Sequence, residues 1–266
     1  MTGAHRRTRR QVAGVLAGVA CGALALGGCG GQPDSSGGDG RQVVVLAASS
    51  LTEAFGELEK VYEDQHPGVD VKLSFDSSSV LAEQVTQGNP ADVLATADER
   101  TMGTVTGKDL TDGAPKTFAT NTLVLVTPPD NPARLRGIEG LDTTDATYAA
   151  CVPEAPCGAA TRRLLDLDGV AADPTTEEQN VKGVLTKVTL GAVDAGLVYR
   201  SDARAAGDKV HTIEVDNASK VVNSYPIAVL GSSDDVSAAR DWVDLVRSDR
   251  GQKVLRSYGF GPASAG

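Results

Sequence analysis

The strongest constraint on the fold is a repeated pattern in which short apolar runs stop at serine- or glycine-rich turns and each turn opens a helix. Residues 43–47 (VVVLA) form a wholly apolar run of the kind needed by a strand covered on both faces. Ser49-Ser50 follows, and Glu53, three residues after Ser50, completes a capping-box pattern, so a helix is expected over 51–65 and His66-Pro67-Gly68 stops it. Residues 69–75 alternate as a strand. Ser77-Ser78-Ser79 then caps a helix running through Gln87, with Gly88-Asn89-Pro90 as its terminator. A strand over 92–96 and a helix over 98–107 come next. Further strands are expected at 122–127, 147–152, 196–199, 210–215 and 225–230. Further helices are expected at 158–167, at 180–190, from Ser201-Asp202 onward, and at 234–247 with Trp242 on the buried stripe. A short closing helix precedes Tyr258-Gly259-Phe260, and no internal repeat is present. Such alternation predicts an α/β architecture, long enough for two compact lobes. Ligands of open α/β sheets sit at the carboxyl ends of strands, where helix N-termini offer free N–H groups and a positive dipole end suited to an oxyanion.

The first 28 residues are set apart as a targeting segment. Arg6, Arg7, Arg9 and Arg10 occur with no acid, and the apolar run over 12–26 is short for a membrane span. It ends in Leu26-Gly27-Gly28-Cys29, a lipobox-like string. Residues 1–28 are therefore expected to be a lipoprotein signal peptide, with Cys29 lipidated as the first residue of the mature chain. An ordinary cleaved signal is the alternative, and the arginine pairs leave general secretory and twin-arginine export both open. Residues 29–40, rich in Gly, Ser, Asp and Pro, read as a flexible tether. The expected location is the outer face of the cell membrane, with contact to the bilayer through the lipid alone.

Removing the signal takes away four Arg and no acid, which leaves 21 Lys and Arg against 35 Asp and Glu, a net charge of −14. That excludes a nucleic-acid binder with a basic footprint. It also means that long-range field would not draw an anion inward, so anion affinity would have to come from local donors. Cys21 leaves with the signal and Cys29 takes lipid, so Cys151 and Cys157 remain. In an exported chain they read as a disulfide, worth roughly 2 kcal/mol in the chain-entropy account and serving to stiffen the 151–157 loop. Zinc is the rival reading, but His66 and His211 lie at no zinc-motif spacing from these cysteines.

Seven strings occur in one order over nearly all of residues 42–260: Ala47-Ala48-Ser49-Ser50-Leu51-Thr52-Glu53-Ala54, Ser74-Phe75-Asp76-Ser77-Ser78-Ser79-Val80-Leu81-Ala82, Pro90-Ala91-Asp92-Val93, Pro156-Cys157-Gly158, Asn180-Val181-Lys182-Gly183, Gly196-Leu197-Val198-Tyr199-Arg200-Ser201-Asp202-Ala203 and Tyr225-Pro226-Ile227. Together they resemble the molybdate-binding proteins of type II periplasmic-binding architecture. The resemblance implies an α/β protein of two lobes, residues 41–121 plus 222–266 and residues 122–221, hinged near 120–122 and 221–224 and closing on ligand. It implies capture of molybdate, with tungstate as a second ligand, for an ABC importer made of a permease and its ATPase. The chain would act as a monomer, without a cofactor and without a metal held by side chains. Carried over position by position, Ser50 and Ser78 would each give a hydroxyl and an N–H, Cys157 and Val181 an N–H, and Tyr199 its phenol. All are neutral donors, matching a fully deprotonated dianion that can only accept hydrogen bonds, whereas a carboxylate beside it would be repelled. Selection against sulfate would rest on cavity size. A binder of another tetrahedral oxyanion such as sulfate is the alternative.

Two positions depart from the family pattern. Cys157 replaces a small residue and ties the anion loop to Cys151. Asp76 falls on the same nominal strand face as Ser74 and Ser78, although the turn at Ser77 is expected to break that register. Taken singly, each candidate has a plainer role: Ser50 and Ser78 as helix caps, Tyr199 as a half-buried core tyrosine, Val181 as a residue of an apolar stripe, Cys157 as structural. Asp92 and Asp202 are expected to act structurally at element ends, and Glu177-Glu178 as a solvated helix start. Enzymatic function is not expected. There is no Gly-x-Ser-x-Gly elbow, and both histidines of the mature chain lie outside the seven strings.

Overall fold

The computed structural model describes residues 41–263, so the expected signal peptide and tether, Cys29 and the last three residues lie outside the described residues. The first elements are β1 (Arg41–Ala48), α1 (Thr52–Gln65), β2 (Val69–Asp76), α2 (Ser78–Thr86), β3 (Val93–Ala95) and α3 (Glu99–Thr106). They are followed by β4 (Lys116–Asn121), β5 (Leu123–Thr127), α4 (Gly140–Thr143), β6 (Tyr148–Cys151), α5 (Pro156–Asp168), β7 (Thr176–Glu178) and α6 (Val181–Thr189). The chain ends with β8 (Ala195–Tyr199), α7 (Arg200–Ala206), β9 (His211–Ile213), β10 (Asn223–Val229), α8 (Val236–Arg247), α9 (Asp249–Ser257) and β11 (Gly261–Pro262).

The strands form two mixed sheets. The first runs β11-β4-β10-β3-β1-β2, with β1 parallel to β2 and β3, and β10 antiparallel to β3 and β4. The second runs β7-β6-β8-β5-β9, with β6 parallel to β7 and β8, and β5 antiparallel to β8 and β9. The chain passes from the first sheet to the second at Thr122, the single residue between β4 and β5, and returns over residues 214–222.

Burial explains the unbroken apolar runs. In the first sheet Val45, Ala47, Val93, Ala95 and Ile227 face one core with Leu58 and Trp242, while Leu46, Leu94 and Ala228 face a second core with Leu81, Val85, Met102 and Val105. Helices α1, α8 and α9 thus cover one face, and α2 and α3 the other. A sheet clothed on both sides has no face left for polar alternation. On the first side Trp242 is fully buried, edge-on to Phe55 and Tyr62 with ring centroids 5.6 Å away in each case.

Several expected elements shift. The helix expected over 51–65 begins at Thr52, after a 3-10 turn over Ser49–Leu51, and Ser50 makes no capping bond: Leu51 is the cap, and the Thr52 hydroxyl donates to the Ser49 carbonyl. The Ser77 side chain likewise does not cap α2 and pairs with the Ser79 hydroxyl. Glu177 and Glu178 belong to the edge strand β7, not to a helix start, because pairing with Ala150 and Cys151 extends them. Strand β4 has no counterpart in the sequence expectations. Its outer neighbour is only the two-residue β11, and its sequence, KTFATN, carries no apolar run. Helix α5 starts at Pro156, so Cys157 sits in a helical first turn rather than a loop, joined by a disulfide to Cys151 at the end of β6.

Replacing Trp242 by Ala should lower the unfolding free energy by about 3–5 kcal/mol, read by denaturant titration. A loss under about 1 kcal/mol would mean that this aromatic core is not what seats α8 on the sheet.

Candidate functional site

The parallel strands β1, β2 and β3 of the first sheet and β6, β7 and β8 of the second send their carboxyl ends to one small cavity. Its lining reads off those ends in turn: Ala48, Ser49 and Ser50 after β1, Asp76, Ser77 and Ser78 after β2, Ala97 after β3, Pro156 and Cys157 after β6, Asn180 and Val181 after β7, and Tyr199 at the end of β8. Ser50, Ser78, Cys157, Val181 and Tyr199 are therefore neighbours in space, and each is at least 96 % buried. A larger groove of ≈ 1050 Å³, largely open to solvent, lies beside Met102, Thr106, Thr117 and Pro226. It gathers no set of buried donors.

Local geometry makes the small cavity a donor shell. Ser78 opens α2, Val181 opens α6 and Cys157 is the second residue of α5, so their N–H groups have no carbonyl four residues back within the helix. The Ser78 hydroxyl oxygen accepts the Ala97 N–H at 2.9 Å, which leaves its proton free to donate elsewhere. The Tyr199 hydroxyl is wholly buried and has no protein partner among the described residues. Burial raises the Tyr199 pKa well above its ordinary value, and burial is also the main cause of the rise at Tyr225, so both phenols keep their protons. Gly158 is required at its place: a Cβ there would collide with the Val152 and Cys151 carbonyl oxygens, over which α5 starts.

Asp76 is a correction to the sequence expectation. The turn at Ser77 does not carry it away, and it lines the cavity with Ser78. Its Oδ1 is committed, accepting the Ser77 N–H at 2.7 Å and the Asn180 side-chain amide at 3.0 Å. The Asn180 orientation is secure, since its Oδ1 accepts the Gly183 N–H and a backbone amide can only donate. Asn180 thus caps α6 and reaches across to the first sheet. Two other contacts make the same crossing. Lys182 Nζ donates to Glu53 at 2.7 and 2.8 Å, and Arg100 donates to the Glu154 carbonyl at 2.8 Å. Sequence reasoning missed Asn180, Lys182 and Glu53 as a group. The cap signal at Asn180 was readable, but pairing across more than a hundred residues was not.

Asp202 and Asp92 serve structure. Asp92 accepts the Val44 N–H at 2.7 Å and the Ser233 hydroxyl at 2.6 Å. Asp202 is fully buried with one oxygen 3.0 Å from Lys182 Nζ, an ion pair whose angles fall outside hydrogen-bonding geometry. Burial lifts its pKa to about 6 against the pull of Lys182. For Lys182, burial pushes the pKa down, but Asp202 and Glu53 outweigh it and the net direction is up.

Among the described residues no helix is long and apolar enough to cross a membrane, and no group of three or more His, Cys, Asp or Glu could hold a metal ion.

Comparison with known proteins gives concordant likenesses. Residues 43–261 match the model for bacterial extracellular solute-binding proteins. The molybdate-binding protein ModA of Mycobacterium tuberculosis (strain ATCC 25618 / H37Rv) is 43% identical over 200 residues, covering 75% of this chain and 77% of that protein. The molybdate-binding protein ModA of Escherichia coli (strain K12) is 32% identical over 203 residues, covering 72% and 78%. Among solved structures, the periplasmic molybdate-binding protein of Azotobacter vinelandii superposes with a TM-score of 0.73 at 20% identity, covering 82% of this chain and 98% of that one. The sulfate-binding protein SubI of Mycobacterium tuberculosis H37Rv also gives 0.73, at 17% identity, covering 84% and 88%. At those identities the two structures speak for the fold alone.

Lys182→Met would leave Asp202 buried beside no cation. The folded pKa of Asp202 already lies above its ordinary 3.8, so the stability linked to its proton is present below that value and lost as pH rises through about 6. Without Lys182 the folded value climbs further and the loss deepens. Denaturant titration should find the variant about 3 kcal/mol less stable than the parent at pH 8 and much closer to it at pH 5. An equal deficit at both pH values would contradict the pairing.

Proposed function

The chain belongs to the bacterial extracellular solute-binding protein family, and on that premise we propose that it captures molybdate, and tungstate with it, in the cavity between its two sheets and delivers the anion to an ABC importer. The observation that carries this reading is the convergence of neutral donors from five strand ends on one cavity. The proposed contacts are the hydroxyls and N–H groups of Ser50 and Ser78, the N–H groups of Cys157 and Val181, and the Tyr199 hydroxyl. A tetrahedral dianion without protons accepts from every one of them, and donor bonds to a charged acceptor are worth more than neutral ones. Helix N-termini add their dipoles at close range. That local field has to act against a mature chain of 21 Lys and Arg against 35 Asp and Glu, a net charge of −14, whose distant acids repel the ligand. The 43% identical relative, a molybdate-binding protein, supports the choice of anion.

In the same reading residues 41–121 plus 222–266 and residues 122–221 are the two lobes, and the crossings near 120–122 and 221–224 are the hinge. The pairs Asp76–Asn180, Glu53–Lys182 and Arg100–Glu154 would then be made on closure. The importer is a permease with its ATPase, the working unit is a monomer, and Cys29 holds the chain to the outer face of the membrane through lipid. Sulfate is the second reading, because it too is a tetrahedral dianion without protons and the same donors would serve it.

Calorimetric titration with molybdate, tungstate, sulfate and phosphate distinguishes these readings. One-to-one binding of the two larger anions, with sulfate and phosphate much weaker, is expected. Ser78→Ala should weaken molybdate about ten- to hundredfold, the worth of one hydrogen bond to a charged group, with the unfolding midpoint little changed. Preference for sulfate or phosphate, or an unchanged Ser78→Ala affinity, would overturn the ligand assignment.

A further inference from the structure

Tyr225 is not among the residues that line the cavity, yet it is hydrogen-bonded to one that is, Ser50. It lies in the middle of β10, fully buried, its ring packed edge-on against Phe118, Tyr199 and Phe260. Its hydroxyl has two hydrogen-bonding neighbours. One is Ser50 Oγ at 2.9 Å, and the other is the side-chain nitrogen of Asn121 at the long distance of 3.5 Å.

The directions of these bonds follow from what each group can do. The Thr122 N–H donates to Asn121 Oδ1, and a backbone N–H cannot accept, so the Asn121 nitrogen is the atom that faces Tyr225 and Ser201. That nitrogen has protons and no free lone pair, so it cannot take a proton from Tyr225. A buried phenol finds an acceptor for its proton, and among the described residues Ser50 Oγ is the acceptor within hydrogen-bond distance. Ser50 therefore accepts from Tyr225, and its own proton is left to point into the cavity. The Ser78 hydroxyl is held in the same sense by the Ala97 N–H. Asp76, the only carboxylate of the lining, has Oδ1 occupied by two N–H groups.

We propose that Tyr225 is a positioning residue that fixes the Ser50 hydroxyl as a donor, and that it thereby helps the site discriminate against oxyanions that carry a proton. The inference rests on the oxyanion-binding reading above. A protonated oxygen needs an acceptor, and a Ser50 oxygen already receiving the Tyr225 proton and aiming its own proton at the ligand is a poor one. An anion with no proton accepts from both serine hydroxyls. Size plays no part in this discrimination, so it separates hydrogen phosphate from molybdate while leaving the contrast between sulfate and molybdate untouched.

Tyr225→Phe keeps the ring and removes the hydroxyl. Molybdate, sulfate and phosphate affinities are measured by calorimetry at pH 7 for the full chain and for this variant. The expected result is a molybdate affinity about three- to tenfold lower, a molybdate-to-phosphate ratio reduced by a similar factor, and an unchanged molybdate-to-sulfate ratio. In a Ser50→Ala background the same Tyr225→Phe change should leave the molybdate-to-phosphate ratio where it was, because the oxygen it acts through is gone. An equal loss for all three anions, a shift in the molybdate-to-sulfate ratio, or a full effect without Ser50 would overturn the role of Tyr225. A parent protein that binds none of the three would overturn the oxyanion reading itself, and a parent that prefers phosphate would overturn both. Near-parental unfolding midpoints identify the variants as folded, and the Ser50→Ala cycle tests the relay through an independent substitution.

Discussion

A helix that starts at the end of a buried strand leaves its first N–H groups without carbonyl partners, and those groups must be satisfied somewhere. This protein resolves that constraint in a concerted way. Six parallel-strand ends, three from each sheet, are brought to one small cavity, and the amides and hydroxyls that follow them form its wall. The rest of the fold can be understood as the scaffold for that convergence. Helices cover both faces of the first sheet, Thr122 and residues 214–222 carry the chain between the sheets, and Gly158 lets α5 begin directly above the end of β6.

The electrostatic logic is local. A chain rich in acids has no long-range attraction to offer an anion, and only short-range donors in a water-poor pocket can supply affinity. The charged groups near the site are kept from opposing it by being paired. Asp76 is held by Asn180 and its own turn, and Glu53 and Asp202 share Lys182. The Asp76–Asn180 and Glu53–Lys182 contacts join elements of the two sheets, so the bonds that occupy these carboxylates also draw the walls of the cavity together.

Much of this was legible in the sequence, and the parts that were not have physical reasons. The apolar runs of β1, β3, β5 and β8 identify buried strands directly, and the ordered strings brought Ser50, Ser78, Cys157, Val181 and Tyr199 forward as candidates. The structure collects those five in one place. What misled was local capping chemistry. Ser50 has the spacing of a capping box, but tertiary contact takes its hydroxyl to Tyr225 instead. Glu177 and Glu178 resemble a helix start, but edge pairing with β6 makes them a strand. Strand β4 shows no apolar run because it lies near the edge of its sheet. Asp76 stayed at the cavity because Ser77 turns tightly enough to bond its carboxylate. Lys182, Asn121 and Tyr225 could not have been grouped from sequence, since their side-chain hydrogen bonds reach residues 80 to 175 positions away.

The central claim is that uncharged donors at the strand ends hold a proton-free tetrahedral anion, and a crystal structure of the molybdate complex tests it most directly. Anomalous scattering at the molybdenum edge locates the metal without reference to the chain. The account predicts one peak, inside the cavity, with anion oxygens within hydrogen-bond reach of the Ser50, Ser78 and Tyr199 hydroxyls and the Cys157 and Val181 N–H groups. A peak held instead by Lys or Arg side chains at the surface, or in the larger groove beside Met102, would contradict it.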